Sequence, residues 1–109
     1  QIEFENVFLE VQARCMRLQC YYELDGYGNL FKPLINATKI FLRRREIVAD
    51  PKKEVVAKFV FYIEKIEKIR GEIPYKKIDK QKIKDLQEEL KKEQNIMFKN
   101  WLIQKIKAL

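Results

Sequence analysis

A chain of 109 residues, 47% apolar and 36% charged, has a folded composition and is long enough to bury one core. Its formal charge of +7 favours either polyanionic partners or a heavily solvated basic surface. It has no serine, no histidine and a single threonine, Thr38, which removes serine hydrolases, histidine-based zinc sites and most general bases that work near neutral pH.

The first helix is expected over about residues 2–24. Phe4, Phe8, Val11, Cys15, Leu18 and Tyr22 recur at alternating spacings of four and three, which gathers them on one face. Glu3 and Glu5 sit where the helix dipole favours acids, and their presence argues against a signal peptide. Cys15 and Cys20 are wrongly spaced for a local disulfide on a helix, so they read as reduced thiols and suggest a cytoplasmic, intracellular protein. Asp25-Gly26-Tyr27-Gly28-Asn29 reads as a turn. It follows a helix rather than a strand, so it is not a phosphate loop.

A second helix is expected over about 30–49, with Pro33 in its first turn and a stripe of Leu34, Thr38, Phe41 and Val48. The tripeptide Asn36-Ala37-Thr38 has the form of a glycosylation sequon but falls inside this helix. Asp50-Pro51 marks the next boundary, an N-cap followed by proline at the first helical position. The third helix then covers about 51–70, with Val55, Phe59, Tyr62, Ile66 and Ile69 on one seam, Glu64 and Lys68 as an i,i+4 pair, and Gly71 as the terminating residue.

The last helix is expected over about 76–108. Ile83, Leu86, Leu90 and Met97 keep helical spacing, but Glu93 or Gln94 takes the intervening position. A helix of about 30 residues is roughly 45 Å long, more than a chain of this size spans, so it should overhang, bend or break. Between Ile96 and Leu109 apolar residues cover most of the circumference. Either the other helices wrap this end or a second chain does. The whole reads as one all-α domain, 1–109. The expected fold is a four-helix, up-down bundle with antiparallel neighbours and a long C-terminal helix.

Four constellations bear on function. Arg43-Arg44-Arg45 fan around a helix and suit bidentate contact with phosphate or carboxylate. Lys77, Lys80, Lys84 and Lys91, with Gln87 among them, form a basic stripe that could follow a phosphate backbone, although Asp85, Glu88 and Glu89 dilute it. Ile96, Phe98, Trp101, Leu102, Ile103 and Ile106 would anchor a partner helix or a symmetry mate. Glu64 and Glu67 have the spacing of a carboxylate metal site, but no histidine accompanies them. No catalytic residue, metal or cofactor is expected, and no apolar run approaches the roughly 18 residues of a membrane span. The leading expectation is a non-enzymatic basic subunit that binds nucleic-acid phosphates without regard to sequence, or assembles a nucleoprotein complex. The alternative is a protein-interaction or homo-oligomerisation module using residues 96–109.

Overall fold

The computed structural model describes residues 2–24, 28–44 and 52–109, and the side chains of 8–24, 29–44 and 52–109. Among these there are five helices and no strand: α1 (Ile2–Glu23), α2 (Gly28–Leu42), α3 (Lys53–Glu72), α4 (Lys80–Lys92) and α5 (Lys99–Lys107). The all-helical class expected from periodicity is present, but the single long C-terminal helix is two helices, so the described residues form five helices and not the expected four.

Cross-helix contacts fix the directions. Arg14 of α1 meets Phe41 near the end of α2, so α1 and α2 run antiparallel. Phe8 lies by Lys52 and Tyr22 by Arg70, so α1 and α3 run parallel. Lys58 and Tyr62 of α3 reach Glu93 just past α4, while Ile69 lies across from Leu86, so α4 runs antiparallel to α3. Finally α5 runs from Phe98 against Phe59 up to Lys105 at Glu23. The molecule measures 49 × 31 × 19 Å.

The expected stripes are buried in large part, although Val55, Ile69 and Ile83 are only half-buried. On α1 the buried residues are Val11, Cys15, Leu18 and Tyr22. On α3 burial is centred on Val56, Val60 and Ile63 as well as the expected Phe59, Tyr62 and Ile66. The buried Cys15 thiol is pushed up to about 12 by its apolar surroundings, whereas Cys20 is exposed. A thiol reagent at neutral pH should therefore label one cysteine per native chain and both in denaturant, because the thiolate is the reactive form. Mass spectrometry of the labelled peptides checks this. Because the folded value is the raised one, Cys15 favours the folded state fully below its ordinary value of 9.0, and that contribution is lost as pH rises from there towards 12.

Helix boundaries depart from the sequence reading in four places. α2 ends at Leu42 rather than near residue 49, and the chain tightens into a turn in which Arg43 and Arg44 donate to the carbonyls of Ile40 and Phe41. Phe41 and Leu42 are its last buried residues, and the charged side chains that follow have no core to hold them in register. α2 also starts at Gly28, which places Pro33 more than one turn inside the helix, where it cannot donate to the Asn29 carbonyl. Thr38 is fully buried, and its hydroxyl donates to the Leu34 carbonyl at 2.7 Å, so the sequon is helical and turned inward at its threonine. The Asp50-Pro51 boundary lies outside the described residues.

The third departure is at Gly71. It does not terminate α3 but lies within it, since the helix continues to Glu72 and Ile73 caps it in helical geometry. A Cβ at this position meets nothing within 4 Å. Gly71→Ala should therefore stabilise the protein by about 0.5–1 kcal/mol through the smaller conformational entropy of the unfolded chain and higher helix propensity. A rise in the urea midpoint at unchanged slope is the check.

The fourth departure matters most. α4 starts at Lys80, with the Asp79 carboxylate accepting from the Gln81 amide at 2.9 Å, and it ends at Lys92. Glu93 then turns extended and Phe98 takes a left-handed conformation at φ 56°, a positive φ being unusual for an aromatic residue. Neighbours hold the break. The Glu93 carboxylate takes an ion pair from Lys58 at 3.0 Å and a hydrogen bond from the Tyr62 hydroxyl at 3.3 Å. The Met97 amide donates to the Val55 carbonyl at 3.3 Å, and the Lys99 ammonium caps the carbonyls of Lys91 and Glu93.

The break lets α5 fold back onto the groove between α1 and α3. Trp101 packs edge-on against Tyr22 at 5.5 Å, and Phe98 against Phe59 at 5.4 Å. The Trp101 indole donates to Glu23 at 3.0 Å, and Lys105 pairs with the same carboxylate at 2.6 Å. These cations and donors hold the Glu23 carboxyl below its usual range.

A candidate anion-binding surface

The outer face of α3 is a ridge between two grooves. On one side, α2 and α3 enclose about 500 Å³ over an apolar floor of Phe31, Ile35 and Phe61. On the other, α3 and α4 enclose about 440 Å³ over Ile69 and Leu86. Lys65 and Lys68 stand on the ridge and line both grooves, Lys32 of α2 lines the first, and Lys82 of α4 lines the second. Helical spacing explains the ridge. Lys65 and Lys68 are three residues apart and project opposite the buried side chains of Phe59, Ile63 and Ile66.

Three of the five acids lining these grooves, Glu64, Glu67 and Glu72, are paired with cations. Asp85 accepts only from a neutral amide, and Glu89 lines the second groove without a cation within 4 Å among the described residues. Glu64 pairs across helices with Lys39 at 2.6 Å, not with Lys68 as the i,i+4 spacing suggests. Glu67 accepts from Arg70 at 2.6 Å, and Arg70 in turn lies 3.6 Å from the centre of the Tyr22 ring and donates to the Tyr22 carbonyl. The two glutamates thus diverge towards separate cations instead of converging on a metal. Glu72 pairs with Lys76, and Asp85 accepts from Gln81. Lys32, Lys65, Lys68 and Lys82 have no ion-pair partner within 4 Å among the described residues. Lys65 instead lies 4.4 Å from the centre of the Phe61 ring, and that ring is 47% exposed.

The residues singled out by sequence are scattered. Arg43 and Arg44 are exposed in the turn that ends α2, and Arg45 lies outside the described residues. The Arg44 guanidinium stands 5.2 Å from the Phe41 ring centre, which it shares with Arg14 of α1 at 4.8 Å. Arg14 lies on α1, far before the arginine run in sequence, so only the fold brings the two together.

Lys77 precedes α4 and is not part of the helical stripe, whereas Lys80, Lys84 and Lys91 are exposed on α4. Lys91 is 4.0 Å from Glu88. Because α2 runs antiparallel to α3, Arg43 and Arg44 lie at the opposite end of the molecule from Lys77 and Lys80, so the two basic sets do not form one patch.

In the C-terminal segment, Leu102 and Ile106 are buried, and Ile96, Phe98, Trp101 and Ile103 are half-buried against the same core. Within the chain this end packs on α3 and α4 and meets α1 through Trp101 and Lys105. Among the described residues no helix is long and apolar enough to cross a membrane. No protein family, curated protein or solved structure matches this chain.

Proposed function

We propose that this protein is a non-enzymatic polyanion-binding subunit that engages nucleic-acid phosphates through the α3 ridge and its two grooves. One observation carries this reading: four lysines from three helices, Lys32, Lys65, Lys68 and Lys82, surround the ridge without acidic partners. Such cations release condensed counterions when they meet phosphates, which drives binding without reading sequence. The exposed Phe61 ring between them offers a base a stacking face, which favours single strands over duplexes.

Leu102 and Ile106, the buried anchors of residues 96–109, are already enclosed within this chain, so a partner helix could reach them only by opening the fold. The ridge requires no such opening, and for that reason the polyanion reading stands first. Fluorescence anisotropy with short single- and double-stranded DNA and RNA, titrated with salt, is the test. Affinity that falls log-linearly with salt and is higher for single strands is expected. Absence of binding even at low salt overturns the reading.

A further inference from the structure

Helix α1 carries a second apolar seam on its solvent side. Leu9, Ala13, Met16 and Cys20 follow one another at spacings of four, three and four, which confines them to a sector of about 60°. That sector faces away from the buried Val11, Cys15, Leu18 and Tyr22. All four are exposed, Leu9 at 60% and Met16 at 53%. A seam of this spacing is what one helix presents to another in a coiled coil.

The residues beside the seam say which helix. Suppose a second copy of α1 lies antiparallel, with Leu9 opposite Cys20 of the second copy and Ala13 opposite Met16. On one edge Glu10 then falls beside Arg17 of the second copy, and the two-fold axis repeats the pair. On the other edge Gln12 falls beside Gln19. Arg17 is exposed and has no ion-pair partner within 4 Å among the described residues. Glu10 is exposed and shares one carboxylate oxygen with Arg14 at 3.3 Å. In a parallel alignment Arg17 would meet Gln12 instead, and no acid would face a base. Charges at these flanking positions set partner and orientation in helix pairs.

We infer that α1 is a self-association surface, and that two copies of the chain pair through Leu9, Ala13, Met16 and Cys20 in antiparallel orientation. The seam covers 12 residues, about 18 Å of helix, so the dimer is weak and concentration-dependent.

Cys20 supplies the test. In the antiparallel pair the two Cys20 residues lie 11 positions apart, about 16 Å along the axis, far beyond the roughly 7 Å that a disulfide allows. Leu9→Cys places a thiol opposite Cys20 of the second copy, and the same distance forbids a bridge within one chain. Mild oxidation should convert Leu9→Cys to a covalent dimer and leave the parent chain unlinked. In sedimentation at increasing concentration, Met16→Glu should abolish association at unchanged helix content. Glu10→Arg should weaken association about tenfold, and Glu10→Arg with Arg17→Glu should restore it. A chain that stays monomeric while Leu9→Cys fails to cross-link overturns the inference. Cross-linking of the parent through Cys20 also overturns it, since only a parallel partner brings those thiols together.

Discussion

Replacing Phe59 with alanine should cost about 3–5 kcal/mol, a large part of the 5–15 kcal/mol by which proteins of this size are stable. Phe59 is fully buried on α3, and both Phe98 and Trp101 pack on its ring, the latter at 6.3 Å. The substitution removes the transfer free energy of the ring and leaves a void between α3 and α5. Those helices relax little, because the Met97 to Val55 hydrogen bond and the Lys58–Glu93 ion pair tether the segment between them. Urea unfolding followed by circular dichroism measures the loss. Trp101 fluorescence reports it separately, because Trp101 touches both Phe59 and Tyr22. A loss below 1 kcal/mol would mean that α5 does not close on α3.

The second large effect concerns binding. Lys65→Gln with Lys68→Gln should lower polyanion affinity roughly tenfold near physiological salt and reduce the slope of log affinity against log salt by about 1.4–1.8, since each phosphate contact contributes roughly 0.7–0.9. Both side chains are exposed, so helix content and stability should not change. Lys80→Gln with Lys84→Gln makes the decisive comparison. On the α4 stripe alone this second pair would carry the whole effect; on the α3 ridge it carries the smaller part. An unchanged slope in Lys65→Gln/Lys68→Gln removes the ridge from the binding surface.

The buried faces of α1 and α3 could be read in large part from the sequence, because their apolar residues repeat over about four to five turns and no other geometry brings them together. The end of α2 was hidden because Ile47 and Val48 prolong the apolar pattern past the arginines. The break after α4 showed only as a polar residue where an apolar one was due. Its cause is tertiary, since Glu93 leaves the helix to meet Lys58 and Tyr62 from α3. The left-handed residue is Phe98, whose side chain gives no hint of that conformation.

The candidate surface on α3 was hidden for a related reason. Along the chain Lys65 and Lys68 alternate with Glu64 and Glu67 and look neutralised. The fold sends those acids to Lys39 and Arg70 and leaves the lysines unopposed. The α4 stripe, by contrast, depends on one helix alone, and so was visible without the fold.

The return of α5 onto α1 also has a consequence for synthesis. Trp101 and Glu23 are bonded across 78 residues, and Lys105 and Tyr22 join the same junction. As the chain leaves the ribosome, α1 to α3 can pair early, but the side of α1 and α3 that receives Phe98 and Trp101 stays uncovered until α5 has emerged. Through that interval Tyr22 and Phe59 face water, so a nascent chain stalled after α4 should bind chaperones that a released one does not.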